Sequence, residues 1–322
     1  MTIAACYLSS EGIVLGADST ASWLVDSGGG LSGYHYFNHN QKIFELGENA
    51  TVGVLTWGLG SLGPKSYRTL LASLSDDLQK NAPSKGVAEV ADRWCTNFWQ
   101  EYQTDLKPAI QRCNDLNAKA AYMASPATPA PVPGPAPSAG TAPTLAATVV
   151  PAAPAMRTEA EEREFRTLKT GLVAGFCVAG YWLPDRTTTA FELIFDPLAP
   201  KPTPKQIPTL HYGFWGAHNL MKRLIWGGDD SLRADILASG KWSGNPAELD
   251  KVFEKQRLGH AILPIRDAVD FVHTCIYSTI KALKFSSLPQ ICGGPIELAV
   301  ITSDRRFRWV RHKTWDSALL EI

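Results

Sequence analysis

The sequence predicts an α+β protein in which two antiparallel sheets pack together and helices cover their outer faces. Strand-like segments open the chain, helical segments follow, and the same alternation repeats before a closing pair of strands. Short polar turns between apolar runs indicate antiparallel hairpins. Apolar residues three and four positions apart indicate helices with one buried face. This order of elements is typical of sheets that bury one face against each other.

The first predicted element is a β-hairpin. Apolar runs at 3–8 and 13–16 flank the polar turn Ser-Ser-Glu-Gly at 9–12. Further strands are predicted at 42–46, 51–56, 172–181, 188–195, 296–302 and 307–310. Helical spacing or a capping residue predicts helices at 61–78, 84–98, 108–122, 159–168, 215–226, 229–237, 247–254 and 266–283.

One stretch, 124–156, differs from the rest of the chain. It consists almost entirely of Ala, Pro, Thr, Ser, Gly and Val, and it contains no charge. Repeated proline opposes both helix and sheet and favours an extended chain. We therefore expect one domain over 1–322, interrupted by a flexible insertion at about 124–156. A proline-motif ligand for a partner domain is the alternative reading of this stretch.

Composition excludes several classes of function. Lys plus Arg number 31 and Asp plus Glu number 31, so no overall field attracts nucleic acid or an anionic membrane. No apolar run approaches the length of a membrane span, and we expect no signal peptide. The six scattered cysteines indicate free thiols in a cytoplasmic protein. The seven histidines form no metal-binding pattern, so no metal is expected.

Three residues near the start of the chain suggest chemistry. Thr2 follows Met1, and an initiator methionine is normally removed before a small residue. Its removal would place an α-amine and a hydroxyl on one residue, which is a minimal base and nucleophile. The second strand of the hairpin brings Asp18 back beside the chain start. Lys42 opens a later strand.

In their order and spacing, these residues resemble the start of a proteasome β-type subunit. The family includes the HslV protease and Anbu-type bacterial homologues, and it belongs to the N-terminal-nucleophile hydrolases. The resemblance rests on Thr2, the Gly-Ala-Asp-Ser sequence at 16–19, Lys42 and the glycine-containing turn after 51–56. It implies a four-layer αββα sandwich and a threonine-type peptidase or amidase. It also implies a homo-oligomeric ring or helical assembly that cleaves peptides or proteins, with an ATPase or other partner left open.

The residue chemistry fits such a hydrolase. The α-amine of Thr2 has a reference pKa near neutrality and can serve as general base. Lys42 would stabilise alkoxide character on Thr2, and Asp18 would keep Lys42 charged and oriented. A backbone N–H near Gly58 is the expected oxyanion donor. For a substrate added as a β-strand, the resemblance implies contacts at Ala21, Ser22 and Gly60, and it suggests Thr56 and Asn40 near the specificity pocket.

Two positions depart from the family pattern. The family usually supplies a Ser in a Gly-Ser-Gly turn, where this chain reads Phe-Trp-Gly-Ala at 214–217. Just before the late Gly-Gly pair, Cys292 occupies the family's Ser position, and the family's Asp is missing. A catalytically impaired ring-forming subunit, acting in assembly or partner binding, is therefore the alternative function.

A third reading starts from the glycines of 58–63, which match G-x-G-x-x-G after a strand and before a helix. A dinucleotide site would also need an acidic residue at the end of a second parallel strand about twenty positions on. Asp76 and Asp77 lie inside a predicted helix instead. We therefore expect no cofactor.

Overall fold

The computed structural model describes residues 2–26, 32–47, 50–122, 155–258 and 262–314 of the chain. Within these ranges the protein combines helices with antiparallel sheets. Most of the predicted insertion, 124–154, lies outside the described residues, as does Met1. The strands are β1 (Ile3–Leu8), β2 (Gly12–Ala17), β3 (Ala21–Asp26), β4 (Ser32–Phe37), β5 (Ile43–Glu45), β6 (Val52–Gly58), β7 (Ala174–Gly180), β8 (Thr189–Phe195), β9 (Lys205–Gln206), β10 (Tyr212–Gly216), β11 (Glu297–Thr302) and β12 (Arg305–Arg311). The helices are α1 (Tyr67–Lys80), α2 (Val87–Asp105), α3 (Lys107–Asn117), α4 (Glu159–Gly171), α5 (Asn219–Trp226), α6 (Asp230–Ala238), α7 (Pro246–Gln256) and α8 (Ile265–Lys284).

The first sheet has the strand order β10-β1-β2-β11-β12, and every neighbouring pair is antiparallel. The β1–β2 hairpin that the sequence predicts is confirmed, with Ala4 opposite Ala17. One step beyond this pair, the backbone nitrogen of Asp18 donates to the carbonyl oxygen of Ile3 at 3.1 Å. The register of the hairpin therefore places Asp18 beside the start of the chain.

The second sheet has the order β5-β6-β7-β8-β9 and is also antiparallel throughout. Strands β3 and β4, which follow β2 in the chain, form a separate two-stranded antiparallel sheet. Strand β7, which follows the first helices, pairs antiparallel with β6. The glycines of 58–63 therefore lie between β6 and α1 without a parallel strand beside β6, which contradicts the dinucleotide-binding reading.

Three apolar clusters hold these elements together. The first cluster joins the two sheets, and in it the rings of Trp57 and Trp215 stack with centroids 4.5 Å apart. The second cluster joins the second sheet to α1, α2, α3 and α4, and Phe98 of α2 meets Phe176 of β7 there at 4.6 Å. The third cluster joins the first sheet to α5 and α8. Each sheet therefore contributes to the shared core and to a cluster with its own helices.

Several element boundaries differ from the sequence prediction, and three of the differences have a local cause. Trp215 lies in β10, not in a helix, because its ring stacks on Trp57 and its indole N–H donates to Glu192. Helix α1 starts six residues later than predicted, with Ser66 as the N-cap that accepts from the nitrogen of Thr69. Ser84 does not cap α2. Its hydroxyl and backbone nitrogen donate to Glu89 instead.

The two ends of the predicted insertion lie side by side. Ala120 and Met156 form an isolated parallel bridge. The nitrogen of Ala120 donates to the carbonyl of Ala155 at 3.1 Å, and the nitrogen of Arg157 donates to the carbonyl of Ala120 at 2.9 Å. The buried guanidinium of Arg157 adds an ion pair with Glu162 at 2.7 Å. The chain thus leaves and re-enters the described structure at one place.

Among the helices that the structure describes, none combines the length and the apolar character that crossing a bilayer requires. The longest late helix, α8, carries a run of buried residues on one side, and Lys281 and Lys284 occupy its last turn. It is amphipathic, and its apolar side packs on β1, β2 and β11.

Candidate active site

Thr2 lies immediately before β1 and is buried, with an exposed fraction of 4%. Its carbonyl oxygen accepts a hydrogen bond from the nitrogen of Ala217 at 2.6 Å. The backbone of Gly216, which ends β10, has a φ of +74°, and a Cβ built there would lie 1.8 Å from the same oxygen. The end of β10 therefore fixes the backbone of Thr2, and only glycine fits at that approach.

The carboxylate of Asp18 is fully buried and accepts three backbone hydrogen bonds. Oδ1 accepts from the nitrogen of Ile3 at 3.1 Å, while Oδ2 accepts from Gly293 at 2.8 Å and from Thr20 at 3.3 Å. These N–H groups come from three separate segments of the chain. They compensate a buried negative charge that would otherwise lose its hydration.

The ammonium of Lys42 completes the arrangement. Its Nζ lies 2.6 Å from Oδ1 of Asp18 and 2.6 Å from the carbonyl oxygen of Thr20. The side chain is buried, so Lys42 is not the solvated surface charge that a strand-opening lysine usually is. Burial lowers the pKa of Lys42, and the opposite charge of Asp18 counteracts that decrease. The Asp18 carboxylate therefore joins Lys42 to the backbone of Ile3, the residue that follows Thr2.

The fourth catalytic candidate, Gly58, ends β6, a strand that contacts β1. Gly58 has a φ of +81°, and a Cβ built there would lie 2.3 Å from the carbonyl of Val173. The next nitrogen, of Leu59, donates to that carbonyl at 2.7 Å. Gly58 thus occupies a tight turn against Val173 in which a side chain does not fit, and its role as an oxyanion donor stays a prediction.

The candidate substrate-binding residues separate into three groups. Asn40 and Gly60 line one cleft with a volume of about 360 Å³. Ala21 and Ser22 are half-buried in β3, and the hydroxyl of Ser22 donates to the carbonyl of Ile291 at 3.4 Å. Thr56 is buried, and its hydroxyl donates to the carbonyl of Gly175 at 3.1 Å, within the second sheet. Thr56 therefore uses its hydroxyl in the sheet, outside the cleft.

Cys292 lies next to the charged pair. Its thiol is buried, and its pKa is raised to about 12, first by burial and then by the negative charge of Asp18, with Lys42 opposing both. The neighbouring Gly293 donates its backbone N–H to Asp18. All six cysteines are buried free thiols, as their scatter predicts. Cys292 is therefore a protonated thiol next to the candidate site.

Sequence reasoning missed a second buried acid beside the first. Glu297 begins β11 opposite Ala17, and its carboxylate is fully buried. Its oxygens lie 2.7 Å from Nδ1 of His312 and 3.0 Å from Nζ of Lys313. An acidic residue inside the otherwise apolar run 296–301 was the available signal, because a glutamate at a buried strand position needs a partner.

The arrangement has the parts of an activated hydroxyl site. Thr2 is the second residue of the chain, and the Asp18 carboxylate accepts hydrogen bonds from the buried Lys42 ammonium and from the backbone nitrogen of Ile3, the residue after Thr2. Among the described residues, no three His, Cys, Asp or Glu side chains are grouped as metal ligands. The chain matches no protein-family model, and it has no significant match among curated proteins.

Proposed function

We propose that this protein is a threonine-type N-terminal-nucleophile hydrolase of the proteasome-like kind, cleaving amide bonds with Thr2 after Met1 is removed. The observation that carries the proposal is the double role of Asp18 Oδ1, which accepts from both Ile3 and Lys42. One buried oxygen thereby ties the ammonium to the residue that follows the nucleophile. A salt bridge with a purely structural role would not need this hydrogen bond to Ile3, the first residue of β1.

The fold supports the same proposal. Two antiparallel sheets share one apolar cluster, and each shares another with helices. We interpret this as the four-layer αββα sandwich of N-terminal-nucleophile hydrolases. In that fold the nucleophile begins a strand of one sheet, and here Thr2 precedes β1, an internal strand of the first sheet.

The proposed reaction has two stages. In the first, the Thr2 hydroxyl gives its proton to the α-amine and attacks the substrate carbonyl, with the Gly58 amide near the developing oxyanion. The C–N bond then breaks, the leaving amine takes the proton, and an acyl ester remains on Thr2. In the second stage the α-amine removes a proton from water, which hydrolyses the ester and restores the hydroxyl.

Lys42 has two electrostatic roles in this scheme. Its positive charge stabilises alkoxide character on Thr2, and it lowers the pKa of the nearby α-amine by like-charge repulsion. Asp18 holds Lys42 in place through the 2.6 Å contact. Three backbone N–H groups also donate to that buried carboxylate.

The test is intact-protein mass spectrometry before and after incubation with a threonine-directed epoxyketone, which needs both the hydroxyl and the free amine. We expect loss of the Met1 mass and a single adduct on the purified full chain. Thr2→Ala should abolish the adduct, and Thr2→Ser should retain it. Retained Met1 together with no adduct would contradict the hydrolase proposal.

One observation favours the second candidate, a ring-forming subunit with an impaired site. Cys292 stands where the family uses a hydroxyl, and a thiol is a weaker hydrogen-bond donor and acceptor than a hydroxyl. A homo-oligomer by native mass spectrometry, combined with no adduct, would support this candidate. For both candidate functions, we propose that the protein is cytoplasmic.

A further inference from the structure

The ammonium of Lys313 is a buried junction and not a free charge. Only 10% of its side chain is exposed. Its Nζ donates to the hydroxyl of Ser19 at 3.1 Å and to the carbonyl of Asn40 at 3.0 Å, and it forms an ion pair with Glu297 at 3.0 Å. An ammonium has three N–H donors, so these contacts use all of them. Lys313 therefore joins three parts of the chain and has no donor left for a ligand.

Two of these partners flank the Asp18–Lys42 pair. Ser19 directly follows Asp18, and Asn40 lies two residues before Lys42. The backbone nitrogen of Asn40 also donates to the carbonyl of Ser19 at 2.9 Å. Lys313 therefore bridges the two chain segments that carry the opposite charges of the pair.

The position of Lys42 depends on the three residues from Asp18 to Thr20. Its Nζ lies 2.6 Å from Oδ1 of Asp18 and 2.6 Å from the carbonyl oxygen of Thr20. Ser19, between them, is fully buried, and its hydroxyl is the acceptor that Lys313 uses. A displacement of these three residues would therefore move both groups that hold the Lys42 ammonium.

Glu297 fixes Lys313 from within the first sheet. Its carboxylate is fully buried, and its backbone pairs with Ala17 at the end of β2. The β11–β2 pairing covers all six residues of β11, so the sheet fixes the backbone from which this side chain extends. A path of contacts therefore runs from the sheet through Glu297 and Lys313 to the hydroxyl of Ser19.

The two ion pairs also influence each other's charge. Burial lowers the pKa of Lys42, Asp18 opposes that decrease, and Lys313 adds to it. Burial likewise lowers the pKa of Lys313, while Glu297 and Asp18 oppose the decrease. Buried ion pairs often add little net stability over apolar residues of similar volume, but their hydrogen bonds require one geometry. Four buried charges in mutual contact are therefore better suited to fixing an arrangement than to stabilising the fold.

We propose that Lys313 and Glu297 are positioning residues of the candidate active site. The pair holds Ser19, and through it the two neighbouring residues that bind the ammonium of Lys42. The inference rests on the proposed function, because it requires that the position of Lys42 affects the reactivity of Thr2. Lys313 and Glu297 do not contact the substrate in this scheme, and both act through Ser19.

The first experiment measures the rate at which the epoxyketone labels Thr2 in the full-length protein. Ser19→Ala removes one hydroxyl and no charge, and we expect labelling to be about 10-fold slower because the groups that hold the ammonium are displaced. Lys313→Met and Glu297→Gln should slow labelling at least as much. Lys313→Arg keeps the charge and has room at the adjoining cleft, so it should restore most of the rate. Ser9→Ala is the matched control, because the Ser9 hydroxyl is also buried but accepts two backbone hydrogen bonds in the β1–β2 turn, and it should not slow labelling.

A second experiment does not depend on the hydrolase. The loss of stability caused by Ser19→Ala is measured by urea unfolding in the unsubstituted protein and in Lys42→Met. We expect this loss to fall to about half or less in Lys42→Met, because Ser19 then has no ammonium to position. The loss caused by Ser9→Ala should be the same in both backgrounds, since the turn of the hairpin shares no partner with Lys42.

The outcomes separate this inference from the proposed function. Equal labelling rates of Ser19→Ala and Ser9→Ala, or of Lys313→Met and Lys313→Arg, overturn the positioning role even when Thr2 is labelled. An unchanged rate in Glu297→Gln removes Glu297 from that role. If the unsubstituted protein forms no adduct, the hydrolase proposal fails and the urea comparison alone decides: a reduced loss supports the positioning role, and an unchanged loss overturns it.

Discussion

The ammonium of Lys42 lies 2.6 Å from Oδ1 of Asp18, and both side chains are removed from solvent. The two partners are not equally dependent on each other. Without Lys42, Asp18 still accepts from the nitrogens of Ile3, Thr20 and Gly293. Without Asp18, Lys42 has no anion among its hydrogen-bond partners in the described structure and keeps the carbonyl of Thr20. Loss of Asp18 therefore leaves Lys42 poorly satisfied, whereas loss of Lys42 leaves Asp18 hydrogen-bonded, and substitutions of the two residues should differ in their effect on stability.

We expect Asp18→Asn to destabilise the protein more than Lys42→Met. Removing one partner of a buried pair costs about 3–5 kcal/mol, and we expect Asp18→Asn to fall in this range. Lys42→Met should cost about 1–2 kcal/mol less, because backbone donors still satisfy the remaining carboxylate. Urea unfolding at neutral pH measures both. Glu101→Gln, which removes one of the two acidic partners of the partly exposed Lys65, is the control and should cost below about 1 kcal/mol. The reverse order of Asp18 and Lys42 would contradict the asymmetry.

Lys42→Met should also slow the labelling of Thr2 by the epoxyketone. A preorganised charge beside a developing oxyanion is typically worth about 100-fold or more in rate, and the methionine supplies none. The measurement is the rate of adduct formation by mass spectrometry, on samples whose folding is checked by circular dichroism. Lys222→Met, which removes the lysine paired with Asp230 on α6, is the control. A labelling rate equal to that of the unsubstituted protein would exclude the assigned role of Lys42.

Gly216→Ala should be far more harmful than Gly240→Ala. Both glycines have positive φ, +74° and +66°, so both substitutions carry backbone strain of about 1 kcal/mol or more. A Cβ at Gly216 also meets the Thr2 carbonyl oxygen at 1.8 Å, whereas nothing lies within 4 Å of one at Gly240. We expect a further loss of about 2 kcal/mol at Gly216, together with slower labelling of Thr2. Thermal unfolding of the two variants tests this difference. Equal midpoint temperatures would show that the backbone shifts to avoid the clash with the Thr2 carbonyl without losing stability.

The thiol of Cys292 should make stability fall in mild alkali. Its pKa is 9.0 in the unfolded reference and about 12 in the folded protein, so the unfolded chain loses this proton first. Between these values the folded state binds more protons than the unfolded state, and stability therefore decreases as pH rises. The Cys292 contribution should drop by about 1 kcal/mol between about pH 8 and about pH 10.

This effect is isolated by comparing the unsubstituted protein with Cys292→Ala in urea at both pH values. The lysines with lowered pKa, Lys42 and Lys313, act in the opposite direction below 10.5. Both are present in the two proteins, so only the part of the Lys42 contribution that depends on the charge of Cys292 remains in the difference. Their contribution rises with pH because the unfolded lysines hold protons longer. A difference between the two proteins that does not change with pH would show that the Cys292 pKa is close to its ordinary value.

Sequence patterns correctly predicted the elements that depend mainly on interactions between residues close in sequence. The β1–β2 hairpin is encoded by two apolar runs and a polar turn, and the helical period of α8 places Val272 and Ile276 toward the sheet. The candidate triad also followed from sequence, since the hairpin register alone returns Asp18 to the chain start. Trp215 was misassigned because its strand depends on stacking against Trp57, more than 150 positions away.

The environment of the triad could not be read from sequence. Gly293 donates to Asp18 from 275 positions along the chain, and Lys313 reaches Ser19 across 294 positions. No periodicity or motif links such residues, because only the assembled sheets bring them together. Glu297 gave a local hint as an acid in an apolar run, yet its partners His312 and Lys313 follow an intervening hairpin. The surroundings of Asp18 and Glu297 are therefore set by the fold and not by any one segment.

The bridge between Ala120 and Met156 makes this position suitable for inserting or exchanging sequence. Because backbone hydrogen bonds already hold the two ends together, the folded domain sets their separation, whatever the length of the intervening segment. For a flexible connection, halving the number of residues changes the closure entropy by only about 0.6 kcal/mol. A short glycine-serine linker, an affinity tag or a small fluorescent domain could therefore replace 124–154 with little effect on folding. This site would give a labelled protein whose amino terminus stays free.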